Sequence, residues 1–274
     1  MNCGGVGSPH YSERLLLLCK TEGIKLRTIV CIKRVPDSEA RVRVSADGRG
    51  IDPSGLKFVM NPYDEIALEA ALQLKEKAGD GAVTAITVGT DDAKETLRSA
   101  LAMGADDGVL LRSEGSIDGL AIAWALADEV SGRQYDLLLF GKQAIDDDNM
   151  QVPAMVAQML GLPCATVVVD LEIDDGVATA KREIEGGHEI VEFDLPGVVA
   201  AQKGLQEPRY PSLKGIMAAK RKPLEAKNIE LRDPKIELLE LTMPPARPEP
   251  QIVGEGPEAV PELVRRLREE AKVL

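Results

Sequence analysis

The sequence predicts an α/β protein: a doubly wound, mostly parallel sheet with helices on both faces, continued by an extended C-terminal arm. Three observations carry this. Continuous apolar runs of β-favouring residues, such as Thr28-Ile29-Val30-Cys31-Ile32, read as strands buried on both faces. From residue 28 to residue 160 such runs alternate with helical stretches, as parallel strands joined by crossover helices do. Beyond Lys222 the chain carries Pro223, Pro234, Pro244, Pro245, Pro248 and Pro250, and too few apolar stretches to build a core of its own.

Each element follows from its residues. After the first strand, Ala40–Val44 alternates and Asp47-Gly48 supplies turn chemistry, which predicts a hairpin excursion. Asn61-Pro62 opens a long helix: Asn61 suits the cap, Pro62 the first turn, and Asp64 and Glu65 complement the dipole. Ile66, Ala70 and Leu74 form its apolar stripe, and Gly79 ends it. Val83–Gly89 is the next strand, and Thr90–Met103 a helix capped by Thr90. Gly108–Leu111, Asp118–Val130, Tyr135–Phe140 and Gln151–Leu160 continue the alternation. The pattern then turns strand-rich, with Cys164–Leu171, Val177–Glu185, Glu189–Phe193 and the apolar run Leu195–Ala201. An amphipathic helix over Pro261–Lys272 closes the chain. Leu263, Val264, Leu267 and Ala271 share one of its faces, and Glu262/Arg266 and Arg265/Glu269 pair on the other. Residues 1–26, with a Gly-rich start and Leu15–Leu18, do not resemble the rest and read as a disordered extension.

Composition excludes several function classes. With 33 Lys and Arg against 45 Asp and Glu, the 274-residue chain carries a net charge of −12. That balance argues against nucleic acid or an anionic membrane surface as main partner, and 3% aromatics argue against a base-stacking platform. No apolar run approaches the roughly 20 residues of a membrane span. His10 and His188 are the only histidines, so a His-dependent nucleophilic mechanism has little to rest on. Cys3, Cys19, Cys31 and Cys164 have neither C-x-x-C nor zinc-ligand spacing, and they fit a reducing compartment. The expected location is a bacterial cytoplasm rather than a mitochondrial matrix, because Glu13 and Glu22 interrupt the basic residues of the N-terminal stretch.

In a doubly wound sheet, ligands bind beyond the carboxyl ends of the strands where strand order reverses. The residues there are Lys33-Arg34-Val35-Pro36-Asp37, Asn61-Pro62-Tyr63-Asp64, Val88-Gly89-Thr90, and the run Gly141 to Val152. That run reads Gly141, Lys142, Gln143, Ala144, Ile145, Asp146, Asp147, Asp148, Asn149, Met150, Gln151, Val152. A glycine leaving a buried strand, then polar residues entering a helix, suits a phosphate cradle of backbone N–H groups. A capped surface loop explains the same residues, and three adjacent aspartates would repel a phosphate unless they are otherwise engaged. A metal site is disfavoured, since neighbours on one loop seldom converge. No G-x-G-x-x-G and no P-loop occurs. Between Leu205 and Met217, Pro208 and Pro211 forbid a regular helix through the segment. Its Tyr210, Leu213, Ile216 and Met217 are either tucked into the core or presented to a partner.

Taken together, these segments resemble the beta subunit of electron-transfer flavoprotein. The resemblance rests on Val30–Asp37, Met60–Ala67, Glu95–Arg98 with Ala100–Asp106, Gly141–Asp148, Arg182–Gly187, and Gln206–Tyr210 with Gly215–Met217. It runs from about residue 27 to the C-terminus. It implies a heterodimer with an alpha subunit, in which one FAD, held mainly by alpha, passes electrons from acyl-CoA or other dehydrogenases toward a quinone reductase. It further implies an AMP in the nucleotide fold of beta, touching Cys31, Asn61 to Asp64, Val88 to Thr90 and Gly141 to Val152. Residues 27–222 would form the nucleotide-binding domain, and residues 205–217 a recognition loop whose leucine, Leu213, docks into the dehydrogenase. Residues 223–274 would be an arm wrapping alpha. The subunit itself would break no bonds. An electron-bifurcating relative would hold a second FAD in place of AMP, but the resemblance of Gly141–Asp148 favours AMP. ATP-pyrophosphatases need a Ser-Gly-Gly-x-Asp-Ser loop where this chain has Lys33–Ser38, and a stress-protein-like module would need neither the arm nor the loop. The chain departs from the family at Pro153, often Gly, at Ser38, often aromatic, and at Ala218 and Ala219, often basic.

Overall fold

β1, Leu26–Cys31, is an inner strand: its mostly apolar residues pair with one neighbour along its whole length, and Thr28–Cys31 pair with a strand on either side. The computed structural model describes residues 25–114, 118–247 and 249–274. The extension expected over residues 1–26 lies almost wholly outside the described residues, and so does Pro248. Two compact units partition the chain. One comprises the chain through Val42 with Pro53–Leu238, and the other comprises Arg43–Asp52 with Leu239–Leu274.

The first unit holds every strand of the main sheet. In chain order its elements are β1, β2 (Arg34–Pro36), β3 (Phe58–Met60), α1 (Pro62–Ala78), β4 (Gly81–Gly89), α2 (Ala93–Met103), β5 (Asp107–Arg112) and α3 (Gly119–Ser131). They continue with β6 (Leu137–Gly141), α4 (Val152–Leu160), β7 (Cys164–Asp174), β8 (Val177–Ile184), β9 (Gly187–Asp194), β10 (Gly197–Ala201), α5 (Leu213–Ala219) and β11 (Leu224–Asn228). The nine-stranded sheet runs β11-β5-β4-β1-β6-β10-β7-β8-β9. Pairings from β11 through β7 are parallel, and only β7–β8 and β8–β9 are antiparallel. One core layer packs α1 and α2 on one face, with Leu68, Leu72, Leu97 and Leu101 at its heart. A second layer packs α3 and α4 on the other face, through Leu126, Val130, Val156 and Ala157. The α/β doubly wound fold is therefore present as the alternating pattern requires.

Several local expectations need correction. Asn61 precedes α1 but makes no side-chain cap; its amide is used elsewhere. Pro62 at the helix start and a left-handed Gly79 at the end, with φ +78°, behave as their chemistry dictates. Thr90 is not the cap of α2. Residues 90–92 form a turn in which the Ala93 N–H donates to the Thr90 carbonyl at 3.0 Å, and the helix begins at Ala93. The excursion after β1 contains a short antiparallel pair, β2–β3, which the alternation at Ala40–Val44 did not reveal. β11 was missed because Leu-Glu-Ala-Lys-Asn has no apolar run, yet it pairs in parallel with β5 at the sheet edge. After Pro211 the backbone is free to turn, and Ser212 caps α5 by accepting from the Gly215 N–H at 3.0 Å.

The second unit contains a turn and a helix. Val44 and Ile51 form an isolated antiparallel bridge, so the hairpin expected at Asp47-Gly48 is reduced to one pair. A single 3₁₀ turn, Pro257–Ala259, leads into α6, Val260–Glu269. Arg266 reaches Glu262 at 2.9 Å and Arg265 reaches Glu269 at 2.9 Å, as the spacing predicts. Among the described residues no helix is long and apolar enough to cross a membrane.

Candidate functional site

Strand order reverses at β1: the chain builds β4 and β5 on one side, then returns to place β6 and β10 on the other. The pairing of β1 with β6 ends at Cys31 and Phe140, and the region beyond their carboxyl ends is where a doubly wound sheet is expected to place a ligand crevice.

Asp64 closes the base of that crevice. Its Oδ2 accepts the Lys33 N–H at 2.7 Å and its Oδ1 accepts the Gly141 N–H at 3.0 Å, so one carboxylate spans the ends of both strands. The residue is 5% exposed. Burial pushes its carboxyl up to about 7, although hydrogen bonds from Asn61 and from the two backbone N–H groups pull the other way. Gly141 is required by this closeness. A Cβ there would strike Asp64 Oδ1 and come within 2.6 Å of Tyr63 Cβ and 2.8 Å of the Tyr63 carbonyl carbon. Cys31, at the end of β1, is buried and its thiol is pushed up by burial, then by the Asp64 charge, so it stays a neutral wall residue.

Asn61 stitches α1 to the loop after β6. Its Nδ2 donates to the Gln143 carbonyl at 2.8 Å and its Oδ1 accepts the Ile145 N–H at 3.2 Å, while its own N–H donates to the Lys33 carbonyl at 2.9 Å. The sequence offered this residue as a helix cap; the fold uses it as a cross-link to a segment more than eighty residues away. β4 runs on past its last pair with β1, Cys31–Ile86, which brings Val88, Gly89 and Thr90 to the same edge.

Within the loop from Lys142 to Val152, Asp148 and Met150 hold left-handed backbones, with φ +51° and +53°. Such backbones are uncommon in non-glycine residues, and here they close the loop on itself: the Asp148 N–H donates to the Ala144 carbonyl at 2.9 Å and the Asn149 N–H to Asp147 Oδ1 at 3.3 Å. α4 follows at once, and its first N–H groups have no partner within the helix, apart from the one that Pro153 removes. The three aspartates are each engaged. Lys33 Nζ contacts Asp146 Oδ1 at 2.8 Å and Asp147 Oδ2 at 3.0 Å, and Gln143 Nε2 donates to Asp148 Oδ1 at 2.5 Å. Burial alone would lower the Lys33 ammonium, but the bonds to Asp146 and Asp147 outweigh it and hold it above its ordinary value. The Lys142 ammonium lies 5.3 Å from the centre of the Tyr63 ring. Among the described residues no group of three or more His, Cys, Asp and Glu is arranged to hold a metal ion.

At this crevice Lys33, Asn61, Tyr63 and Asp64 meet the segment from Gly141 to Asp147, with Cys31 beside Asp64, while Val88–Thr90 end on the same carboxyl edge of the sheet and Asn149–Val152 lead into α4. Tyr210, Leu213, Ile216 and Met217 do not belong to the crevice. They lie on and just before α5, whose Gly215 packs on the carbonyl of Ala102 near the C-terminal end of α2. α2 is eleven residues long, about 16 Å, and its other end is the one beside Thr90. All four side chains are exposed, Tyr210 by 96%, Leu213 by 76% and Met217 by 65%. The structure thus does not tuck them into the core. Two residues escaped sequence reasoning: Glu69 on α1 and Arg209, whose pairing across 140 positions leaves no local signal.

The electron transfer flavoprotein domain matches residues 50–231. The chain belongs to the electron transfer flavoprotein family. It is 42% identical over 224 residues to the electron transfer flavoprotein subunit beta of Syntrophomonas wolfei, covering 82% of this chain and 88% of that one. It is 41% identical over 260 residues to the subunit beta of Bacillus subtilis, covering 91% of this chain and all of that one. The mouse subunit beta is 37% identical over 258 residues, covering 91% of this chain and 99% of its own. Family membership thus extends over the sheet, the crevice and α5, and it comes from bacterial and animal relatives alike.

Proposed function

We propose that this chain is the beta subunit of a heterodimeric electron-transfer flavoprotein, an electron carrier of the bacterial cytoplasm that breaks no bonds itself. In this reading the crevice between β1 and β6 holds AMP, and an alpha subunit holds most of one FAD. When bound, FAD supplies the electron-accepting chemistry; beta contributes binding and geometry. The observation that supports the reading is the linkage of Asn61 and Asp64 to Lys33, Gly141, Gln143 and Ile145 at one strand-order reversal.

The donor set fits a nucleoside monophosphate. The start of α4 offers N–H groups without a partner inside the helix, and Lys33, paired with both Asp146 and Asp147, offsets part of the negative charge that would repel a phosphate. Val88–Thr90 and the Cys31 wall offer mostly backbone and apolar surface, suited to a base. Pro153 removes one N–H, so the phosphate relies on those before it. The tail beyond β11, rather than from residue 223, serves as the arm on alpha, with the exposed Leu263 and Val260 of α6 available for contact. The four exposed side chains at α5 are the surface offered to acyl-CoA or other dehydrogenases, and a quinone reductase takes the electrons onward.

The deciding experiment is the nucleotide content of the co-purified alpha–beta complex after acid release. One FAD and one AMP per heterodimer are expected; two FAD and no AMP would assign the crevice to the bifurcating class instead. Lys33→Met should leave Asp146 and Asp147 unneutralised and weaken AMP retention by about tenfold. Full AMP occupancy in that variant after extensive dialysis would remove Lys33 from the site. Leu213→Ala should lower the rate of reduction at limiting dehydrogenase by about tenfold, the scale of losing one buried anchor, with FAD and AMP content unchanged. Equal rates for variant and parent would refute the docking role.

A further inference from the structure

The exposed side chains at α5 belong to a mount that is fixed at both ends. At its C-terminal end, Arg98 Nη1 donates to the Ala219 carbonyl at 2.5 Å and to the Lys222 carbonyl at 3.1 Å. The Lys222 ammonium in turn donates to the carbonyls of Leu101 at 3.0 Å and Ala105 at 2.5 Å, which ties it to the end of α2. Gly215 lies so close to the Ala102 carbonyl that α5 rests directly on the α2 backbone. The N-terminal end has no regular structure. Among the described residues, the hydrogen bonds that hold segment 206–211 to the rest of the fold are those of Arg209.

Arg209 is gripped by two carboxylates of α1. Its Nε reaches Glu69 Oε2 at 2.7 Å and its Nη2 reaches Glu69 Oε1 at 2.9 Å, a two-pronged pairing, and its own N–H donates to Glu69 Oε2 at 3.2 Å. Nη1 and Nη2 reach Glu76 at 2.6 and 3.2 Å. Gln73 adds a fourth bond to Glu69 at 2.8 Å. Glu69 is 2% exposed, so its carboxylate is buried and fully satisfied. Stability does not require such a pair, since apolar residues packed in its place commonly do as well. What a planar guanidinium between two fixed carboxylates adds is direction. The next residue is Tyr210, and Leu213 begins the helix three positions later.

We propose that Arg209 is a positioning residue for partner docking: its grip on Glu69 and Glu76 presents Tyr210, Leu213, Ile216 and Met217 as a preformed surface. The proposal rests on the reading of α5 as the docking surface and adds the device that holds it in place. A preformed surface avoids the ordering cost that a flexible loop meets on association, so loosening it raises the concentration needed for docking and leaves the bound complex competent.

The test uses the alpha–beta complex reduced by an acyl-CoA dehydrogenase, with the concentration of the complex varied. Arg209→Lys keeps the charge and loses the fork. It should raise the KM for the complex about five- to tenfold, keep kcat within about twofold, and leave nucleotide content unchanged. Faster hydrogen exchange over residues 206–214, without change elsewhere, should accompany it. An unchanged KM for Arg209→Lys beside a raised KM for Leu213→Ala would overturn the proposal and spare the docking surface. Unchanged KM in both variants would overturn the docking surface, and this proposal with it. A fall in kcat at unchanged KM would also overturn it. If Arg209→Lys yields no folded complex, Glu76→Gln decides: a raised KM at an unchanged melting temperature supports the proposal, and an unchanged KM refutes it.

Discussion

Gly141→Ala is expected to destabilise the protein by about 3 kcal/mol and to abolish nucleotide retention, the largest effect of any single methyl group in the crevice. The added carbon would meet Tyr63 Cβ at 2.6 Å, the Tyr63 carbonyl carbon at 2.8 Å, and Asp64 Oδ1. All three belong to the first turn of α1, and the two Tyr63 atoms lie on the backbone or directly on it, so they cannot swing away. Relief requires moving α1 off the sheet, and that motion breaks the Gly141 N–H bond to Asp64 and displaces Asn61 from Gln143 and Ile145. Urea unfolding of the complex and its AMP content measure the two losses. A variant with parental midpoint and one AMP would show that the crevice tolerates a side chain there.

Asp64→Asn should change the pH dependence of stability as well as its size. In the folded protein the Asp64 carboxyl keeps its proton up to about pH 7, whereas in the unfolded chain it releases it near the ordinary value of about 3.9. Between those limits the folded state binds more protons than the unfolded state, so stability falls as pH rises and levels off above about 7. The slope approaches about 1.4 kcal/mol per pH unit within that window. An amide does not titrate, so the parent should lose on the order of 2 kcal/mol relative to Asp64→Asn between pH 5 and pH 7. The variant also offers one acceptor where the parent offers two. Either the Lys33 or the Gly141 N–H then loses its partner, at a cost of about 1–3 kcal/mol. Parallel stability curves for the two proteins across that window would contradict this account.

The inner strands of the parallel sheet were legible because β1, β4, β5, β6 and β10 each contain a run of β-favouring, mostly apolar residues, and such runs have few alternatives once helices separate them. The crevice was legible as a place, since strand ends can be read from the same runs. Its wiring was not. Asn61 carries the local signature of a cap, and only the arrival of Gln143 and Ile145 on a neighbouring strand end gives its amide other work. The objection that three aspartates repel phosphate is reduced for a similar reason: Lys33 stands opposite Asp146 and Asp147, offsetting one of the charges, only because β1 and β6 are adjacent. β11 was illegible because an edge strand need be apolar on neither face, and Leu224–Asn228 has exposed residues at three of its five positions. The pair of Glu69 and Arg209 leaves no trace in any window short enough to read.

An open sheet ends in two unpaired strands, and here these are β9 and β11. Each exposes a row of backbone donors and acceptors able to recruit a second copy of the same strand. β9 is eight residues long, and Glu189, Glu192 and Asp194 punctuate it. β11 carries Glu225 and Lys227, and the Lys227 ammonium reaches across to Glu129 at 2.8 Å. Two β9 strands laid side by side would bring carboxylates against carboxylates. The β9 rim is thus armoured against self-assembly by like-charge repulsion, and substituting alanine for Glu189, Glu192 and Asp194 together should make the isolated subunit prone to filament growth.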